Sequence, residues 1–146
     1  EKTFLSVAKE TNAQIPTLVD RFIDFGPFGA ILTAFATHPN AAWLVLAADL
    51  PLVDNDHLKE LLANRSMAHN ATAFLNPITG FADPLCALYE PNIYPDLLHF
   101  LSRGYSCPRK VLINTPTNLI APVDPEKLFN LNTPEDLGKL NAKAGR

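Results

Sequence analysis

The stretch Trp43-Leu44-Val45-Leu46-Ala47-Ala48-Asp49-Leu50-Pro51 decides the architecture. It opens with an uninterrupted apolar run over residues 43–48, too short for a typical helix and suited to a strand covered on both faces of a parallel sheet. We place this run as the central strand. Asp49 follows it directly and so stands at the strand's carboxyl end, the edge along which open α/β sheets gather their ligands. Downstream, Asp54 precedes residues 55–64, where Leu58, Leu61 and Leu62 share an apolar face and the carboxylate is placed to cap the first N–H groups of a helix. Upstream, Gly26-Pro27-Phe28-Gly29 punctuates the chain, and the large residues 28, 31, 32 and 35 then recur at helical spacing until His38-Pro39. The local order is therefore loop, helix, strand, acidic turn, helix.

The same alternation extends in both directions. Thr3-Phe4-Leu5-Ser6-Val7 reads as a strand running into the polar loop of residues 8–12. Residues 71–75 read as a strand ended by Asn76-Pro77, and 85–89 as another. Residues 93–103 carry Leu97, Leu98, Phe100 and Leu101 at helical spacing, with Gly104 placed to end that helix. Ser106 and Pro108 suit the start of a short helix that includes Arg109 and Lys110. Residues 118–121 and 127–131 are expected strands. A last helix starts at Thr133, with Pro134 in its first turn and Glu135 and Asp136 at its electropositive end. Such alternation implies a three-layer α/β domain with a largely parallel sheet.

Composition narrows the function. At 146 residues the chain is expected to form one domain, residues 1–146, with a genuine core. Hydrophobic residues make up 47% and charged residues 18%, a globular balance that rules out whole-chain disorder. Twelve Lys and Arg against fifteen Asp and Glu give a net charge of -3 without a basic run, which argues against nucleic acid as a partner. Thirteen prolines, against about seven at average usage, mean many stops and exclude a coiled coil. No apolar stretch reaches the ~20 residues needed to cross a bilayer, and the opening Glu1-Lys2-Thr3 is not a secretory leader, so a cytoplasmic location without membrane partners is expected. Cys86 and Cys107 lack CxxC spacing and read as inert thiols. His38, His57, His69 and His99 show no zinc spacing.

Several residues could carry chemistry. A carboxylate at the position of Asp49 can hold Mg²⁺, which takes one or two protein carboxylates and shares its other positions between water and substrate phosphates; a plain Asx-type turn is the competing local reading. Gly26, Pro27 and Gly29 could bring backbone N–H groups and a helix N-terminus close to an electron-rich ligand, or could form a simple turn. Asn130 and Asn132, at i and i+2, project to one side of an extended segment and could meet the mixed donors and acceptors of a heterocycle; closing a strand before the Thr133 cap is the plainer reading. Arg109 and Lys110 could screen phosphate charge or form a solvated face.

In order, residues 26–32, 44–51, 84–89 and 129–137 resemble the molybdenum cofactor guanylyltransferase family, and Phe4 to Glu10 and Leu18-Val19-Asp20 fit the same pattern. The resemblance implies a Rossmann-like nucleotidyltransferase fold that joins GMP from GTP to the phosphate of molybdopterin, with Mg²⁺ as cofactor and pyrophosphate released. It further implies that Asp49 is the metal carboxylate, that Gly26, Pro27 and Gly29 lie beside the nucleotide, and that Asn130, Asn132 and Arg109 contact substrate. GTP and molybdopterin are the implied partners, with proteins of the molybdenum cofactor pathway as further ones; a homodimer is a separate expectation, drawn from the low charge fraction and an apolar sheet edge.

Two departures bear on activity. The family's loop commonly reads Gly-Pro-Leu-Ala-Gly, whereas here the second glycine is Gly29, followed by Ala30. The family's glycine-rich triphosphate loop has no counterpart between Glu1 and Gly26, so an N-terminally incomplete fold and poor turnover by this chain alone are expected. Two other readings stay open: a nucleotidyltransferase using CTP or a sugar-phosphate-type acceptor, and a non-catalytic interaction or assembly module.

Overall fold

The computed structural model describes residues 2–128. Six strands and four helices follow one another as β1 (Leu5–Val7), β2 (Thr17–Val19), α1 (Gly26–Thr37), β3 (Trp43–Leu46), α2 (Asn55–Ala63), β4 (Ala71–Leu75), β5 (Ala82–Tyr89), α3 (Tyr94–Ser102), α4 (Pro108–Asn114) and β6 (Thr117–Ile120), and a 3-10 turn spans Pro125–Leu128. β1 and β2 pair in parallel as a small sheet of their own, while the main sheet has the order β3-β5-β4-β6.

The layers form because β3, β4 and β5 offer apolar side chains to both faces of the sheet. On one, Phe28, Ile31, Leu32 and Phe35 of α1, Leu97 of α3, and Val111 and Leu112 of α4 pack against Ala71, Ala73, Ala87 and Tyr89. On the other, Leu61 of α2 with Leu50 and Leu128 covers Phe74 and Cys86. Alternate residues along a strand face opposite sides, so Ala73 and Phe74 enter different cores. The three-layer α/β expectation therefore holds.

The expectation of a central, fully covered strand at 43–48 does not. Among the described residues β3 lies at the end of the main sheet and pairs with β5 alone; its residues are half-buried and Leu46 is 46% exposed. The interior place goes to β5, flanked by β3 and β4 and buried at nearly every position. An apolar run states that a strand is covered, and its neighbours are set elsewhere in the chain. The sheet is also mixed rather than largely parallel: β3, β4 and β6 share a direction, and β5 runs against them. The cause is the short connection over 76–81, closed by Asn76, whose side-chain oxygen accepts from the N–H groups of Ile78 and Thr79, and by Gly80 at φ +69°. So few residues make a hairpin, whereas a parallel crossover needs a dozen or more.

Smaller differences have equally local causes. Gly26-Pro27-Phe28-Gly29 is the first turn of α1 itself rather than a loop before it. The residue before α4 is Cys107, with no side-chain cap, where Ser106 is the expected cap. Lys127 and Leu128 belong to a 3-10 turn instead of a strand. Other expectations hold closely: β4 occupies 71–75, Asp54 caps α2 by accepting from the N–H groups of Asp56 and His57, and Gly104 closes the end of α3 at φ +80°. Asn130, Asn132 and the helix expected from Thr133 lie outside the described residues.

Gly29 shows why a glycine stands in α1. A Cβ there would lie 2.2 Å from the backbone oxygen of Phe22, whereas at Gly26 it would meet nothing within 4 Å and the demand is the backbone angle, φ +52°. We expect Gly29→Ala to cost about 1–3 kcal/mol as an overpacked core site does, and Gly26→Ala about 1 kcal/mol for the left-handed backbone. Thermal denaturation of the two variants tests the order; equal losses would contradict the steric account.

Candidate functional site

Connectivity places three helix N-termini at one edge of the main sheet. α1 precedes β3 and α2 follows it through short connections, so both run antiparallel to it and start where β3 ends. α4 precedes β6, which is parallel to β4, so α4 also starts at that edge. Gly26-Pro27, Asp54 and Arg109 thus gather at the carboxyl ends of β3, β4 and β6, where backbone N–H groups and helix dipoles favour anions.

Asp49 sits in the turn that follows β3, half-buried, with Oδ1 shielded from solvent, and it interacts with neighbouring groups. A second carboxylate, passed over in the sequence, reaches the same edge. The ladder between β3 and β5 ends with the Ala47 N–H donating to the Leu85 oxygen at 2.8 Å. Asp49 and Asp83 each lie two residues beyond that bond. The Asp83 residue is only 7% exposed, and its Oδ1 accepts from the Leu85 N–H at 3.2 Å. It lies where the pairing of β4 with β5 shifts register, from Ala73 opposite Ala87 to Leu75 opposite Ala82. Pro84 has no N–H for a regular ladder, so a bulge forms there. The readable signal was Asp-Pro at the head of an apolar strand.

Arg109 is half-buried, and its Nε is shielded from solvent without a hydrogen-bond partner among the described residues. Lys110 turns outward and sets its ammonium 3.4 Å from the centre of the Tyr105 ring, so of these neighbouring cations only Arg109 has a buried donor atom. The structure brings Gly26, Pro27, Asp49 and Arg109 to one edge; Gly29, one turn into α1, faces Phe22.

Three of the four histidines have structural neighbours. His57 is buried against Phe74, His69 shares a hydrogen bond with Ser66, and His38 packs at a tilt against Phe4 and Trp43. Burial pushes the Cys86 thiol up to about 12, with the nearby Asp83 charge adding to the effect, so it stays un-ionised at neutral pH; Cys107 is exposed. No group of three or more His, Cys, Asp or Glu converges among the described residues. That donor set does not suit a closed structural zinc site. Two carboxylates at a strand edge do suit Mg²⁺, which keeps most of its positions for water and phosphates.

Fold and edge together define an open α/β domain with three helix N-termini at the carboxyl ends of β3, β4 and β6. The chain belongs to the MobA-like NTP transferase domain family, which it matches over residues 3–119. It is 35% identical over 127 residues to a molybdenum cofactor biosynthesis bifunctional protein of Synechocystis, covering 87% of this chain and 37% of that protein. It is 36% identical over 101 residues to a Trichormus variabilis protein named "Probable molybdenum cofactor guanylyltransferase", covering 68% of this chain and 49% of the other. The chain thus spans half or less of the length of these two relatives. Among solved structures, molybdopterin-guanine dinucleotide biosynthesis protein A of Archaeoglobus fulgidus superposes with a TM-score of 0.74 at 19% identity, over 91% of this chain and 70% of that one. A protein of Aquifex aeolicus gives 0.75 at 17% identity, over 89% and 70%. Those two likenesses establish a shared fold.

Proposed function

We propose that this chain serves a molybdenum cofactor guanylyltransferase in the cytoplasm, as part of one nucleotidyltransferase domain that transfers GMP from Mg-GTP to molybdopterin. In that reaction a phosphate oxygen of molybdopterin attacks the α-phosphorus of GTP, a new phosphoanhydride forms, the α–β bond breaks and pyrophosphate leaves. The observation that carries the reading is Asp49 at the carboxyl end of β3 in a chain matched to this family over residues 3–119.

Each residue has a task that its chemistry supports. Asp49, with Asp83 at the same edge, would hold Mg²⁺, and the bound ion supplies charge neutralisation for the phosphates. Gly26 and Pro27 open α1 toward unobstructed space, where N–H groups can meet the nucleotide, and Gly29 lets that turn pack closely on the chain at Phe22. Arg109 brings a shielded Nε that suits the acceptor phosphate. Asn130 and Asn132 are proposed to meet a substrate ring with paired amides. Transfer then rests on positioning and electrostatics. Relatives named for molybdenum cofactor biosynthesis, one of them bifunctional, support proteins of that pathway as partners. No described helix is long and apolar enough to cross a membrane.

The test uses the longest natural polypeptide containing these residues, with α-phosphate-labelled GTP, molybdopterin and Mg²⁺. Label should pass to the pterin as pyrophosphate accumulates. Transfer from CTP in preference to GTP would replace the guanylyl assignment, and absence of both transfer and Mg-GTP binding would remove the catalytic one.

A further inference from the structure

From β6 onward the chain runs antiparallel to α2, and three hydrogen bonds stitch the two together in reverse order. Asn118 Nδ2 donates to the Asn64 oxygen at 2.8 Å, the Val123 N–H to Glu60 Oε1 at 3.0 Å, and Lys127 Nζ to Asp54 Oδ2 at 2.6 Å. The contacts run from the carboxyl end of the helix to its amino end, a span of about 15 Å at the helical rise. The last contact arrives beside the turn that carries Asp49, and it lies beyond the residues matched to the family, 3–119.

We infer that Lys127 is a positioning residue for the Asp49 edge: by gripping Asp54 it pins the returning segment to the start of α2 and holds the turn between β3 and α2 in place. This rests on the functional reading above for its catalytic consequence, though not for its structural one.

Asp54 is a junction. Its Oδ1 accepts from the N–H groups of Asp56 and His57, at 3.1 and 3.2 Å, and its Oδ2 takes the lysine. The lysine therefore fixes the rotation of the carboxylate that caps α2. Immediately upstream the turn is closed by the Val53 N–H on the Leu50 oxygen, and Leu50 is buried in the same cluster as Leu128, the neighbour of Lys127. One hydrogen bond and one shared apolar cluster thus link residues 127–128 to residues 50–54, and Asp49 is the next residue. The lysine hydrogen bond, assisted by the helix N–H groups, lowers the Asp54 carboxyl from 3.8 to about 2. Its contribution is complete above the ordinary value and is lost as pH falls through the lowered one, so the acid side of the pair is intact at neutral pH. With side chains 28% and 47% exposed, the pair adds little to global stability. Its effect is geometric, and small displacements near reacting groups are costly: about 1 Å can cost ~10²-fold.

The experiment compares Lys127→Met, Asp54→Asn, their double variant and Lys127→Arg. Asparagine keeps the N-cap and removes the charge. In hydrogen–deuterium exchange of this chain, Lys127→Met and Asp54→Asn should each speed exchange over residues 50–57 by ~10-fold while β4 and β5 stay protected. In the polypeptide that turns over, both should lower kcat by ~10-fold with the KM for GTP moved less than ~3-fold, the double variant should be no worse than either, and Lys127→Arg should stay within ~3-fold of the parent. Unchanged exchange over 50–57, or a uniform rise that includes β4 and β5, overturns the proposal. Because exchange is read without substrate, a parent protein that neither binds nor transfers a nucleotide would defeat the functional reading and leave this result standing.

Discussion

If the proposed GMP transfer uses Asp49, Asp49→Asn should lower its kcat by roughly 10²–10³-fold, the loss typical of removing one preorganised electrostatic group. The substitution keeps the shape of the side chain and removes its charge. It spares the β3–β5 ladder, which is made by backbone groups of residues 43–47 and 85–89. The unfolding midpoint should therefore stay close to that of the parent while the Mg²⁺ concentration for half-maximal rate rises. A rate near that of the parent, with unchanged Mg²⁺ dependence, would show that Asp49 is only a turn residue. A fall in rate matched by a fall in midpoint would assign it to stability instead.

Arg65→Ala should have the largest effect on folding, at the opposite edge of the sheet. Glu90, just past β5, is 3% exposed, and Arg65 just past α2 meets it with two parallel bonds, Nε to Oε1 at 2.6 Å and Nη2 to Oε2 at 2.8 Å. Removing the guanidinium strands a carboxylate in the interior. The expected loss is about 3 kcal/mol, the low end of the range for breaking a buried pair, because the Arg65 side chain is 37% exposed. For a domain of this size that corresponds to a midpoint lower by about 10 °C. A loss below ~1 kcal/mol in a urea titration would class the pair with ordinary surface bridges. Kinetic constants for nucleotide should stay unchanged, which separates this edge from that of Asp49.

Much of the fold was legible because its signals are local. A carboxylate at 54 ahead of an amphipathic run caps whatever helix follows, and it does. Gly104 after an apolar helix ends that helix, since only glycine takes the left-handed angle at low cost. Residues 71–75 read as a strand and are one. The Asp49 position was legible for the same reason, as the first acid after an apolar run. The reading went astray where the deciding partner lay elsewhere. The 43–48 run was assigned to the centre of the sheet, yet what occupies the centre is β5, whose direction follows from a hairpin closed by Asn76 and Gly80. Leu62, expected on the apolar face of α2, is 44% exposed, while His57 on the same helix is buried. One helical face can be cut several ways, and the opposing sheet chooses among them.

The amino-acid sequence by itself determined where α2 starts and α3 stops, that 71–75 and 85–89 lie in strands, and that an acid follows the apolar run at 43–48. These depend on hydrogen bonds and side-chain periodicities within a few residues. Tertiary structure alone decided that Asp83 joins Asp49 at one edge, that Arg65 neutralises Glu90 across 25 positions, and that Lys127 grips Asp54 across 73. Such pairs leave no local trace, because either partner taken alone is simply a charged residue that water would satisfy equally well.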